Sequence, residues 1–280
     1  MITLAGRPNT GKSTLVNALT GEKVAIVTDK PQTTRERIFG VVNRGDVQLV
    51  LSDTPGFHKP RTRLGDRMVD AARRSLDGAD AAALIVEPIA NVGTQERLLL
   101  EHIAAFGVPA LLIINKIDTV KKDSLLEVMS VYSGEYKFDS IIPISAKYGD
   151  GLDVLLDIFE GYAADGPKLF PEGMATDQPD AAIVSELVRE KLLLCLDREV
   201  PHGTAVEITK FSERESGIID VDATVYCEKA SHKGIIIGKN GATLKKIGEL
   251  ARADIERFMG AKVFLQTWVR VKEDWRNKFA

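Results

Sequence analysis

The chain has 280 residues, of which 44% are hydrophobic and 28% are charged, and its formal net charge is −3. This length suits two domains, and the composition is typical of a soluble globular protein with a core in each half. The apolar runs are shorter than the ~20 residues of a membrane-spanning helix, and two scattered cysteines form no disulfide framework, so we expect a reducing cytoplasm.

Short β-branched runs alternate with helical periodicity over the first 164 residues. Strands are predicted at residues 2–5, 48–52, 81–86, 110–115 and 140–144, and helices at residues 14–19, 64–76, 94–105, 123–136 and 152–163. Residues 38–43 are predicted to pair with the next strand across a turn at 44–46, which gives one antiparallel edge. The alternation predicts an α/β domain with a mostly parallel sheet and helices on both faces. Ligands of such sheets bind beyond the carboxyl ends of the strands.

A stretch rich in proline and glycine at residues 165–181 predicts a linker. The order of elements then changes: a helix (182–197), two strands (204–211 and 217–229), a short helix, a glycine-rich turn, a long helix (243–258) and a last strand (261–272). The predicted organisation is therefore a larger α/β domain at residues 1–164, a linker at 165–181, and a smaller α+β domain at 182–280.

The first motif, GRPNTGKS at residues 6–13, is a phosphate-binding loop that follows a strand and opens a helix, as the pattern requires. Backbone N–H groups of the loop and the start of the helix favour a bound phosphate. Lys12 is expected to reach the β- and γ-phosphates, and the Ser13 hydroxyl to bind Mg²⁺. The residues predicted to line this part of the site are Gly6, Arg7, Pro8, Asn9, Thr10, Gly11, Lys12, Ser13 and Thr14.

The next motif, DTPG at residues 53–56, ends a predicted strand. Asp53 is expected to hold Mg²⁺ through water, and the Gly56 N–H to sense the γ-phosphate. Within the polar segment 30–37, Thr34 is predicted to close on Mg²⁺ only when the γ-phosphate is present. Thr54 and Pro55 are assigned to the nucleotide site with this motif. The predicted metal ligands are Ser13, Thr34 and Asp53, and the predicted catalytic residues are Lys12 and Thr34.

Two more motifs, NKID at 115–118 and SAK at 145–147, each follow an apolar strand and therefore lie at the same edge of the sheet. The Asp118 carboxylate can accept N–H donors from N1 and the exocyclic amine of guanine. Adenine lacks this pair of donors, so a preference on the order of 10⁴-fold is expected. GTP and GDP are thus the predicted ligands, and the residues assigned to the base are Asn115, Lys116, Asp118, Ser145, Ala146 and Lys147.

These motifs and their order resemble the translation-factor-related class of small GTPases, and PQTTR at residues 31–35 is similar to the Era family. Ras-like proteins have a water-orienting glutamine after the DxxG glycine, whereas this chain has Phe57, whose ring cannot orient water. Because this glutamine is absent, we expect slow intrinsic turnover that a partner raises. Asn9 matches the asparagine with which potassium-dependent relatives bind K⁺, and a loop-shaping role for Asn9 is an equal alternative.

Residues 234–241, GIIIGKNG, lie between two predicted helices. Together with the order of elements, they resemble a KH domain of the bacterial type, in which a GxxG turn clamps about four single-stranded nucleotides. Residues 229–280 hold 12 basic against 5 acidic residues, which suggests an anionic partner, whereas the charge taken alone favours a solvated helix face. Trp268 and Trp275 are expected to be buried, with base stacking as the alternative. The predicted RNA contacts are Lys233, Ile235, Ile237, Gly238, Lys239, Asn240, Gly241, Lys245 and Lys246.

A GTPase domain of this type joined to a KH domain resembles the Era family over nearly the whole chain. The resemblance implies a GTP-gated factor that binds the 3′ end of small-subunit ribosomal RNA, has no DNA partner, and acts in assembly of the small subunit. The alternative is a GTPase signalling switch whose second domain binds a protein or an anionic membrane surface. That alternative would place the chain peripherally at the inner face of the cell membrane.

Overall fold

The computed structural model describes residues 1–30, 33–34, 37–53, 78–197, 200 and 203–273, which form two compact units. The first unit comprises Met1–Ala25 and the described residues from Thr34 to Asp177. The second comprises the described residues of Ile26–Thr33 and the chain from Gln178 onward. The predicted helix at 64–76 lies outside the described residues, as do Thr54, Pro55, Gly56, Phe57 and Trp275.

The first unit is built on a six-stranded sheet. The strands are β1 (Ile2–Ala5), β2 (Ile38–Arg44), β3 (Val47–Asp53), β4 (Ala81–Val86), β5 (Ala110–Ile114) and β6 (Ser140–Pro143). Their order in the sheet is β2-β3-β1-β4-β5-β6. The β2–β3 pair is antiparallel and the other four neighbouring pairs are parallel, which confirms the predicted single antiparallel edge.

Helices cover both faces of this sheet, as predicted. They are α1 (Lys12–Thr20), α2 (Thr94–Phe106), α3 (Lys122–Glu135) and α4 (Leu152–Glu160). Strand β4 shows how: Ala83 and Ile85 pack in one core with α1 and α4, whereas Leu84 packs in another with α2 and α3. Because successive side chains of a strand point to opposite faces, β4 must be apolar at every position.

Residues 165–177 belong to the first unit and lie along its edge strand β2. The Val41 N–H donates to the Ala175 carbonyl at 2.8 Å, and the Gln48 side chain exchanges two hydrogen bonds with the Phe170 backbone at 2.9 Å. The Phe39 and Phe170 rings pack with their centroids 6.2 Å apart. The Val41 contact occupies a backbone group that an edge strand otherwise exposes to pairing with another chain.

The second unit has the predicted order of elements around a three-stranded sheet. The elements are α5 (Asp180–Cys195), β7 (Thr204–Glu213), β8 (Ile219–Cys227), α6 (Ala230–Ile237), α7 (Ala242–Met259) and β9 (Val263–Val271). The strand order is β7-β8-β9, and the β7–β8 pair is antiparallel whereas the β8–β9 pair is parallel. Among the described helices, none combines the length and the apolar character needed to cross a bilayer.

The predicted burial of Trp268 was wrong. Strand β9 alternates, so that Val263 and Val269 lie in the core while the Trp268 side chain is 54% exposed. A period of two therefore places this tryptophan on the open face of the sheet.

Charged residues of α5 hold the described residues of Ile26–Thr33 in the second unit. The Glu190 carboxylate accepts from the Val27 N–H at 3.0 Å, and the Arg189 guanidinium donates to the Thr33 carbonyl. Glu190 also pairs with the Lys191 ammonium at 2.6 Å, and Lys191 with Asp254 at 2.5 Å. Buried charges are tolerated when they are paired in this way.

Candidate nucleotide site and nucleic-acid turn

The loop from β1 to α1 has a backbone that only glycine fits at two positions. A Cβ atom at Gly6 would lie 2.5 Å from the Ile85 carbonyl oxygen. Gly11 has φ +99°, and a Cβ atom there would lie 2.2 Å from the Asn115 amide nitrogen. Asn9 also has a positive φ, +68°, which asparagine tolerates better than most residues. The loop therefore packs closely against β4 and the NKID segment.

Lys12 is the first residue of α1, and its side chain turns back into the loop. Its ammonium donates to the carbonyl oxygens of Gly6 at 3.0 Å and Arg7 at 2.9 Å, and the residue is buried. Burial lowers the pKa of Lys12 because it disfavours the charged form, and the negative charge of Asp53 offsets part of this effect. The ammonium thus lies where a phosphate held by the loop would meet it.

The three predicted metal ligands come together beside Lys12. The Ser13 hydroxyl donates to Asp53 Oδ2 at 2.6 Å and lies 3.0 Å from the Thr34 hydroxyl. Asp53 is fully buried, and its Oδ1 has no hydrogen-bond partner among the described residues. Burial raises the pKa of Asp53, while the Lys12 charge and the Ser13 hydrogen bond act to lower it. Two hydroxyls and an unsatisfied carboxylate oxygen suit a hard cation such as Mg²⁺.

Asn115 joins three of the motifs. Its amide nitrogen donates to the Thr10 carbonyl at 2.9 Å, and its amide oxygen accepts from the Ala146 N–H at 3.0 Å. Lys116 follows it with φ +65°, and its ammonium donates to the Asn9 carbonyl at 2.6 Å. The phosphate loop, the NKID segment and the SAK segment are therefore held in one rigid arrangement.

Asp118 is exposed at the edge of this arrangement, and a buried serine fixes its orientation. The Ser145 hydroxyl donates to Asp118 Oδ1 at 2.6 Å. Lys147 is exposed and packs over the Tyr148 ring at 4.8 Å. An anchored carboxylate at a solvent-open position is available to a planar base that presents two N–H donors.

Sequence reasoning missed two carboxylates of this site. Glu87 pairs with Lys116 at 2.6 Å, and Glu96 pairs with the Arg7 guanidinium at 2.5 Å. Glu87 directly follows β4, so its place at the same sheet edge was a usable signal. Glu96 looks like an ordinary acidic residue in the first turn of a helix, so the sequence gave no signal of its role. The remaining residues of the predicted loop, Pro8 and Thr14, are half-buried.

The second candidate site is the turn between α6 and α7. Gly238 has φ +74° and ψ 177°, and a Cβ atom there would lie 2.2 Å from the Thr243 hydroxyl. A short helical turn, Lys239–Gly241, follows, with Asn240 at φ +53°. Ile236 is fully buried and anchors α6, whereas Ile235 is 51% exposed and Ile237 half-buried. The lysines around the turn, all exposed, are Lys233, Lys239, Lys245 and Lys246.

Two known protein families match successive parts of the chain, in the same order as the two units. Residues 1–116 match the family described as 50S ribosome-binding GTPase, and residues 199–276 match the KH domain. GTPase Era of Ruminiclostridium cellulolyticum is 50% identical over 276 residues, which are 99% of this chain and 93% of the relative. GTPase Era of Alkaliphilus metalliredigens is 48% identical over 278 residues, 99% of this chain and 94% of the relative.

Two solved structures resemble the chain over 99% of its length. Era of Aquifex aeolicus bound to GDP·AlF₄⁻ superposes with a TM-score of 0.95 at 34% identity and is covered over 95% of its length. Era in complex with MgGDPNP and nucleotides 1506–1542 of 16S ribosomal RNA superposes with a TM-score of 0.93 at 35% identity and is covered over 94%.

Proposed function

Because the chain belongs to the Era family of GTPases, we propose that it uses GTP binding and hydrolysis to control its hold on small-subunit ribosomal RNA. The RNA segment is the single-stranded 3′ end, and the process is assembly of the small subunit in the cytoplasm. The observation that carries this proposal is the convergence of Ser13, Thr34 and the unsatisfied Asp53 carboxylate beside Lys12.

The nucleotide chemistry follows from the positions of these side chains. Ser13 and Thr34 would hold Mg²⁺ directly, and Asp53 would hold it through water. When bound, the ion neutralises charge on the β- and γ-phosphate oxygens. Lys12 adds a buried positive charge to the same oxygens, and the backbone N–H groups after Gly6 complete the cradle. Thr34 reaches the site only when its segment is folded against Ser13, which makes it the switch residue.

Guanine selectivity rests on preorganised groups. Ser145 fixes Asp118, and Asn115 fixes the Ala146 N–H, before any base arrives. Guanine supplies two N–H donors to the carboxylate, whereas adenine leaves the carboxylate without them. The same network ties the base segments to the phosphate loop, so that base recognition and phosphate binding support each other.

We also propose that Asn9 binds K⁺ beside the phosphates. Hydrolysis should then be about tenfold faster in K⁺ than in Na⁺, the effect of roughly 1.4 kcal/mol of transition-state stabilisation. The matched variant is Asn9→Gly, because glycine adopts φ +68° without strain and removes only the side chain. Rates of phosphate release in each salt are the measurement. If Asn9 only shapes the loop, both proteins will hydrolyse GTP equally fast in the two salts.

The RNA part of the proposal is supported by the turn between α6 and α7. Its positive φ angles bring backbone N–H groups to the start of α7, where the helix dipole favours a phosphate. The exposed lysines supply a positive field, and Ile235 and Ile237 offer apolar surface to unstacked bases. A relative with the same two domains is described in complex with part of 16S ribosomal RNA.

Changing Lys239 and Asn240 together to aspartate should abolish binding of single-stranded RNA and leave GTP binding intact. The added carboxylates repel the phosphate that the turn admits. Both side chains are exposed, and aspartate tolerates the φ of +53° at position 240, so the fold should persist. Gly238 is a poorer choice, because any side chain there collides with Thr243. Fluorescence titration of labelled RNA at two salt concentrations is the measurement.

The control is Ser133→Asp with Lys137→Asp, two exposed residues of the first unit whose replacement changes the net charge equally. It should bind RNA like the wild type, with a salt slope near −0.7 for each neutralised phosphate. Anionic vesicles in parallel test the alternative membrane-associated switch. Equal RNA binding by both variants, or tighter binding to vesicles than to RNA, would contradict the proposed RNA function.

A further inference from the structure

Glu96 is a buried carboxylate next to the phosphate loop that the proposed chemistry does not use. It lies in the first turn of α2, is 2% exposed, and places Oε1 2.5 Å from Arg7 Nε. Its Oε2 has no hydrogen-bond partner among the described residues. Removing a carboxylate from water is costly, so a buried carboxylate is retained only where its charge is compensated. Here Arg7 supplies the compensation, and the helix dipole of α2 adds to it.

Arg7 connects this carboxylate to Lys12. Its side chain pairs with Glu96, while its backbone carbonyl accepts from the Lys12 ammonium at 2.9 Å and from the Thr10 hydroxyl at 3.0 Å. A shift of residue 7 would therefore move the carbonyl that holds Lys12. Because Glu96 is packed in a rigid helix, it can fix residue 7 from outside the loop.

The surroundings of Glu96 leave it little freedom to move. A Cβ atom at Gly93 would lie 2.7 Å from Glu96 Oε2, so the glycine makes room for the carboxylate. Tyr132 is 1% exposed and donates to the Asn91 carbonyl at 3.4 Å. Burial, together with the negative charge of Glu96, raises the pKa of Tyr132 to about 12, so this tyrosine stays neutral. The charge facing Glu96 is therefore that of Arg7.

We infer that Glu96 is a positioning residue of the phosphate loop, which holds the Arg7 guanidinium so that the Arg7 carbonyl sets the place of Lys12. This inference rests on the proposed GTP binding. Electrostatics alone makes the opposite prediction: removing a negative charge near the loop should strengthen binding of anionic phosphates. A loss of affinity on neutralising Glu96 would therefore come from lost positioning and not from charge.

The test is Glu96→Gln, which removes the charge and keeps the shape of the side chain. Affinity for GDP should fall about tenfold, a coupling typical of residues in one network. Affinity for GMP should change little, because GMP keeps the guanine contacts and has no β-phosphate for the loop. Competition against a fluorescent guanine nucleotide measures both. The control is Glu101→Gln, an exposed residue of α2 with the same change in charge, which should bind both nucleotides normally.

A double-mutant cycle with Arg7→Met completes the test. Arg7→Met alone leaves the Glu96 charge uncompensated beside the phosphates and should bind GDP most weakly. The double variant should bind GDP no more weakly than Glu96→Gln, because both charges are gone. The inference is overturned if the two losses simply add, or if Glu96→Gln only lowers the melting temperature and binds GDP as tightly as the wild type. A wild-type protein that binds no guanine nucleotide would instead overturn the proposed function.

Discussion

Replacing Lys12 with alanine should lower kcat/KM for GTP by about 10³-fold, the scale of removing one preorganised charge-stabilising donor. The buried ammonium is held by two loop carbonyls and is therefore already oriented toward the phosphates. Its charge also lowers the pKa of Asp53 against the effect of burial, so its loss should favour protonated Asp53. A protonated carboxyl is a weaker partner for Mg²⁺, and the variant should require more Mg²⁺. Single-turnover phosphate release across a Mg²⁺ series measures both effects.

Lys122→Ala is the matched control for this variant. Lys122 is exposed at the start of α3, so its loss removes one lysine without touching the loop, and hydrolysis should be unchanged. Lys12→Arg keeps the charge but replaces a compact ammonium by a larger, planar guanidinium, and should recover only part of the activity. If Lys12→Ala retains kcat/KM within tenfold of the wild type, Lys12 is not the catalytic lysine.

Local patterns in the sequence predicted the helices and strands well, because burial of one or both faces of an element determines which of its residues are apolar. Strand β4 reads as a continuous apolar run because it is buried on both faces, and the alternation of such runs with helical periodicity predicted a parallel sheet. The loop at residues 6–13 was recognisable because its function needs fixed residue types at fixed spacing. Such features depend on neighbours in the chain and can be read from one sequence.

Features that depend on distant partners could not be read in this way. Arg7 lies in the loop before α1 and Glu96 in α2, and only the folded sheet brings these two residues together. The described residues of Ile26–Thr33 belong to the second unit through contacts with Glu190 and Arg189, which lie far along the chain. The exposure of Trp268 was misjudged because hydrophobicity predicted burial, whereas the register of β9 decided which face it occupies. Tertiary context overrode propensity at this position.

Replacing Asp118 with asparagine should change the preferred nucleotide from GTP to xanthosine triphosphate. The asparagine amide keeps an oxygen for the Ser145 hydroxyl, so the segment should retain its shape. Its NH₂ group, however, meets the exocyclic amine of guanine, and two donors then face each other. Xanthine has a carbonyl at that position and accepts from the NH₂ group. GTP affinity should fall on the order of 10³- to 10⁴-fold, as expected where a polar site loses its partner.

The control for this change is Asp123→Asn, which removes the same charge at an exposed position in the first turn of α3. It should bind GTP with wild-type affinity and should gain no affinity for xanthosine triphosphate. Titration of both nucleotides against the three proteins separates recognition from charge, because a general weakening of triphosphate binding would affect both nucleotides alike. A crossed pattern, with GTP lost and xanthosine triphosphate gained in Asp118→Asn alone, is the expected result. Unchanged GTP affinity in that variant would remove Asp118 from base recognition, and loss of both nucleotides would make its role structural.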